Sequence, residues 1–125
     1  MAKTIQLKRV YEAPAASDGT RILVDRLWPR GIAKAKARVD LWLKDIAPSD
    51  TLRRRFHGHP EDWAEFRRAY AAELKQASEA VKELRGHLRK GPVTLLYAAR
   101  DEEHNNAVAL KAWLQRRRRP AARKS

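Results

Sequence analysis

Apolar and polar positions alternate over residues 4–11, the period of a half-buried strand. Asp18-Gly19 supplies turn residues in the loop that follows. Residues 21–28 predict a second strand. Its Ile22-Leu23-Val24 run suits burial on both faces, as in a parallel sheet, and Pro29-Arg30-Gly31 ends it. The spacing then changes to three and four. Val39, Trp42, Leu43 and Ile46 predict a helix that Pro48 stops. Ser49 is placed to cap a short helix carrying Leu52 and Phe56, closed near Gly58. Pro60 suits the first turn of one long helix, whose stripe runs Trp63, Phe66, Tyr70, Leu74, Ala77, Val81, Leu84, Leu88. Gly91-Pro92 breaks the chain, and residues 93–99 predict a third, buried strand. Asp101 is placed to cap a last helix, with Glu102 and Glu103 in its first turn and Leu110 and Leu114 facing inward.

This order predicts an α/β fold: a small open, mostly parallel sheet of three or more strands, flanked by helices in three layers. Helices between the second and third strands imply a parallel pair and a right-handed crossover. The first connection spans only about nine residues, short for a crossover, so the direction of the first strand stays open. The 125-residue length suits one domain. Residues 1–115 are expected to form it, with 116–125 a basic, frayed tail.

Composition narrows the chemistry. The absence of cysteine excludes disulfides, thiolate metal sites and cysteine nucleophiles, and suits a reducing compartment. The N-terminus has no apolar run that could act as a signal peptide. No apolar stretch nears the ~20 residues that span a bilayer. The expectation is a cytoplasmic protein with no membrane partner. A net charge of +13 attracts polyanions, although six of its basic residues lie in the last ten positions.

In open α/β sheets, ligands bind beyond the carboxyl ends of the strands. That rule selects residues 25–31 and 97–106. Arg26 and Arg30 are candidate binders of a phosphate or carboxylate, because the guanidinium fork matches those groups. Asp25, Tyr97 and Asn105 stand beside them as candidate substrate-binding groups. His104 lies three residues after Asp101, one helical turn, so the two form a candidate acid–base pair. Each residue also has a structural reading. Asp101 is a helix cap, Asp25 and Arg26 an internal ion pair, and His104 a satisfied histidine. Asn105 and Asn106 hydrogen-bond loop carbonyls, and the four tryptophans are core. His57-Gly58-His59 offers too few ligands for a closed metal site. We read no metal and no cofactor. The sequence has no Gly-rich phosphate loop, no Gly-x-Ser-x-Gly elbow and no RNA-binding signature.

Three stretches together carry a family pattern: residues 21–31, then Trp42-Leu43-Lys44 with Ala47-Pro48-Ser49, then residues 93–105. They resemble the YeaO-like branch of domain-of-unknown-function family 488, over about Thr4 to Leu114. The resemblance implies a bacterial-type cytosolic α/β protein and transfers no catalytic residue. A sister branch carries a cysteine-histidine-arginine cluster where this chain has His104-Asn105. Thiol chemistry does not carry over to a chain without cysteine.

Two functions follow as expectations. One is an anion- or phosphate-binding pocket at the strand ends, with catalysis left open and a small anionic molecule as ligand. The alternative is a nucleic-acid-associated basic protein that holds phosphates through helix arginines and the tail. The oligomeric state is undetermined.

Overall fold

A computed structural model describes residues 4–116. The elements run β1 (Ile5–Arg9), β2 (Thr20–Leu23), α1 (Lys34–Ala37), β3 (Leu41–Trp42), α2 (Asp50–Phe56), α3 (Trp63–Gln76), α4 (Ser78–Lys90), β4 (Val93–Tyr97) and α5 (Asn106–Arg116). The four strands form one sheet in the order β1-β4-β2-β3. Every pair is parallel. The expected open parallel α/β sheet is therefore present, and β1 joins it in the same direction as the others.

The two sheet faces bury different layers. Ile22, Val24, Leu95 and Tyr97 share one face with Leu74, Leu84 and Leu110 of the helices. Val10, Leu23 and Leu96 share the other with Ala37 of α1, and Trp28 and Trp42 pack on them edge-to-face at 5.4 Å. Each aliphatic side chain removed from water in this way contributes roughly 1.5–3 kcal/mol.

Four sequence expectations are corrected. The stretch around Val39–Ile46 is not a helix. Leu41-Trp42 adds a strand to the edge of β2, and Lys44–Ile46 makes a single 3-10 turn. The open edge of β2 decides this, because Asp40 N–H donates to Arg21 C=O and Leu43 N–H to Leu23 C=O. The long helix is two helices, broken at Ala77 (φ −96°, ψ 46°). An unbroken helix over residues 60–88 would run on the order of 40 Å, far past the start of β4. The last helix begins at Asn106, and Asn105 caps it by accepting the Val108 N–H at 2.9 Å. Strand β2 also ends earlier than expected, at Leu23. The tail beyond Arg116 lies outside the described residues.

The β1–β2 connection carries only a single 3-10 turn (Ala16–Asp18), yet it crosses β4 and closes the second face. Asp18 makes this workable. Its carboxylate is 2% exposed and accepts from Lys8 Nζ, the Ala15 N–H and Arg21. Arg21 donates onward to the Arg38 and Ala37 carbonyls. Thr94 of β4 donates to the Asp18 carbonyl at 2.7 Å. Gly19 follows at φ 67°, where a Cβ would meet the Pro92 carbonyl.

Burial alone would raise the Asp18 pKa. The bonds from Lys8, Ala15 and Arg21 outweigh it and hold the carboxyl below its ordinary value. A lowered folded pKa means the stabilisation is full above the unfolded value of about 3.9 and is lost as pH falls below it. Asp18→Asn is expected to cost roughly 3–5 kcal/mol at pH 7 in urea unfolding, since it strands Lys8 and Arg21. The gap between the two proteins should narrow as pH is lowered through 4 toward 2. A gap that stays constant with pH would contradict this account.

Candidate functional site

Because β2 and β4 are neighbours, residues 25–31 and 97–106 leave the same edge of the sheet. Asp25 ties them together. One carboxylate oxygen accepts the Ala98 N–H at 3.0 Å, just past β4. The other accepts the Asn106 side-chain amide at 3.0 Å, at the start of α5. The same amide donates to the Val24 carbonyl at 2.9 Å, and the Trp42 indole donates to the Asp25 carbonyl at 2.8 Å. Burial raises the Asp25 pKa against the pull of these donors. The expected Asp25–Arg26 ion pair does not form.

The second loop is likewise bonded within itself. Asp101 accepts the Glu103 and His104 amides at 2.9 Å each, and these bonds lower its pKa. Its carboxylate meets His104 Nδ1 at 3.1 Å, so the expected Asp101–His104 contact exists. The His104 ring stands edge-on to Trp63 at 5.2 Å. Asn105 donates to the Asp101 carbonyl at 2.9 Å. Tyr97 is buried, and burial together with the Glu102 and Glu12 charges pushes its hydroxyl pKa up, so it stays protonated.

Arg26 faces elsewhere. Its guanidinium donates to the Pro48 and Ala47 carbonyls at 3.2 and 3.3 Å. It lines a cavity of about 160 Å³ with Asp45, Ile46, Tyr70, Glu73, Gln76 and Ala77. Asp101, His104, Tyr97 and Asn105 are not among its walls. Arg30 is exposed, and its carbonyl accepts the Tyr11 hydroxyl at 2.8 Å. Its guanidinium has no hydrogen-bond or ion-pair partner among the described residues. The sequence-selected residues thus fall into three places: an Asp25 junction, an Asp101–His104 turn, and Arg26 at a cavity.

Sequence reading passed over the residues that shape this cavity. Glu73 accepts the Ser49 N–H at 2.7 Å and the Ser49 hydroxyl at 2.6 Å, and Tyr70 donates to the Ile46 carbonyl at 2.7 Å. Glu73 and Arg26 clamp the same 47–49 turn from two sides. Only the Ala47-Pro48-Ser49 motif hinted at it. For metals, His59, Glu61 and Asp62 bring ligand atoms within 4.8 Å of one another, all three exposed, and His57 is not in the group.

The fold and this edge define a small parallel α/β unit with a polar junction at its strand ends and a side cavity that Arg26 lines. The chain belongs to the inactive DUF488-N3 subclade (DUF488-N3i), whose family model matches residues 4–124. It is 50% identical over 111 residues to "Uncharacterized protein YeaO" of Escherichia coli (strain K12), covering 89% of this chain and 96% of that one. It is 42% identical over 113 residues to "Uncharacterized protein Rv3073c" of Mycobacterium tuberculosis (strain ATCC 25618 / H37Rv), covering 90% and 95%. These matches bear out the family resemblance. No solved structure matches the chain. No helix among the described residues is long and apolar enough to cross a membrane.

Both Asp25 oxygens accept from N–H donors, so an amide in its place turns one NH2 toward a donor. Asp25→Asn is expected to lose about 1–3 kcal/mol of stability. Hydrogen exchange should show the Ala98 backbone amide opening faster than the centre of β4. Unchanged stability and exchange would remove Asp25 as the junction.

Proposed function

We propose that this chain is a non-catalytic binding protein for a small molecule that offers an anionic group to Arg26 at the carboxyl edge of the sheet. One observation carries the reading. The Arg26 guanidinium is oriented by two backbone carbonyls and by no carboxylate. Carbonyls fix its direction, Asp50 is near enough to feel its charge without pairing with it, and a guanidinium has five N–H donors. It also lines a cavity of about 160 Å³. Arg30, four residues on in the same loop, adds positive potential to that edge.

The non-catalytic part rests on how the other candidates are spent. Asp101 is held ionised by two amides and outside the cavity, so it is a poor proton donor at neutral pH. Asp25 has both oxygens occupied. In this reading Asp101 and His104 shape the turn into α5, and Tyr97 and Asn105 support it. The description of the family as an inactive subclade agrees.

Arg26→Lys keeps the charge and loses the fork. Among small carboxylates and inorganic phosphate, with and without amino groups, at least one titrated by NMR should shift the Ala47 and Ala77 amides of the wild type saturably. The variant should bind at least about tenfold more weakly at a temperature where both proteins are folded, the loss of one charge-assisted contact. Equal titration of both proteins would end the proposal.

A second reading rests on the net charge of +13 alone. It is association with nucleic acid through helix arginines and the tail. Arg53 and Arg54 pair with Asp50, and Arg55 with Glu65, which draws down the helix contribution. On this reading, truncation after Arg116 should weaken DNA binding at least about tenfold at low salt and flatten its salt dependence. An unchanged slope in fluorescence anisotropy would remove it.

A further inference from the structure

The cavity walls carry more than one sign of charge. Arg26 is the only cation among them, against the carboxylates of Asp45 and Glu73. A bare anion that reaches Arg26 meets two like charges, and a bare cation meets the guanidinium. Neither is a good guest for a partly desolvated site. A molecule with both signs, a few bonds apart, satisfies both.

The unspent groups say where each end goes. Glu73 already accepts one hydrogen bond on each oxygen from Ser49. Tyr70 uses its hydroxyl hydrogen in a bond to the Ile46 carbonyl. Asp45 is exposed, at the mouth of the cavity, and its carboxylate has no hydrogen-bond or ion-pair partner among the described residues. The Gln76 carboxamide is equally unengaged among them. Ile46, Ala47, Leu74 and Ala77 supply the apolar remainder. A volume of about 160 Å³ limits the guest. A protein cavity of about 150 Å³ holds benzene, six non-hydrogen atoms.

We infer that the cavity binds a small zwitterion of the α-amino-acid class, its carboxylate on Arg26 and its ammonium on Asp45. The ammonium also has the second lone pairs of Glu73 and the Gln76 amide oxygen within the same walls. The side chain is short, methyl-sized, and lies on Ala47, Leu74 and Ala77. This rests on Arg26 as the anchor proposed above and names the class of molecule that it holds.

The test compares three probes on the full chain by NMR, reading the Gln76 and Ala77 amides. L-alanine carries both charges, acetate only the negative one and ethylamine only the positive one. Alanine should shift these amides saturably, with acetate and ethylamine at least tenfold weaker. Asp45→Asn, at an exposed position that leaves folding intact, should weaken alanine at least tenfold and strengthen acetate. Acetate binding as well as alanine, in both proteins, overturns the zwitterion and leaves the anion anchor standing. Ethylamine binding as well as alanine overturns both, as does the absence of any shift with all three probes.

Discussion

A carboxylate buried among two cations holds this fold closed. The chain passes from β1 to β2 without an α-helix, over a sheet face that carries Lys8, Arg21 and Thr94. Arg21 and Thr94 are buried away from water, and an unpaired buried charge is expensive. Asp18 takes both cations at once, and its own carbonyl takes the Thr94 hydroxyl. A ten-residue loop thus replaces the helix that a crossover ordinarily needs. Arg21 carries the link further, to the carbonyls at the end of α1. The left-handed Arg38 (φ 50°) lies in that end. The apolar cluster of Val10, Leu23 and Leu96 beside it can stay dry because those polar groups are satisfied.

At the other end of the strands the same logic produces two different results. Around Asp25 and Asp101, the carboxylates are taken up by nearby N–H donors. That is good for stability and poor for chemistry, since a reacting group needs an unspent lone pair or proton. Around Arg26 the match is incomplete. Carbonyls orient the guanidinium, Glu73 is turned to Ser49, and Asp45 is left over. The break at Ala77 keeps α3 and α4 from filling the gap. The proposed guest sits where the hydrogen-bond inventory fails to close.

Much of this was legible in the chain. The alternation of residues 4–11 and the apolar runs after Arg21 and Gly91 marked three of the four strands, because a strand's own side chains carry its period. The helical stripes from Leu52 to Leu88 and from Ala107 to Leu114 were visible for the same reason. Of the candidate site, the two loops were legible from the rule for parallel sheets, and the Asp101–His104 contact from a spacing of three. The two-residue β3 was not, because its strand character comes from the β2 edge and not from Leu41 and Trp42. Asn106, which bridges Asp25 and Val24, read as one more polar residue.

What the sequence by itself determined is therefore local: the type of most elements, the family pattern and the chemistry that a cysteine-free chain lacks. Those depend on neighbours within a turn or a strand. Tertiary structure decided the strand order, the helix break, the capping of α5 by Asn105 and the separation of Arg26 from the other expected ligand groups. Each of these turns on contacts between distant residues, such as Asp18 with Thr94, 76 positions apart, or Asp25 with Asn106, 81 apart. No local period encodes which of two polar residues a folded chain brings within 3 Å, and that choice separates a closed junction from an open site.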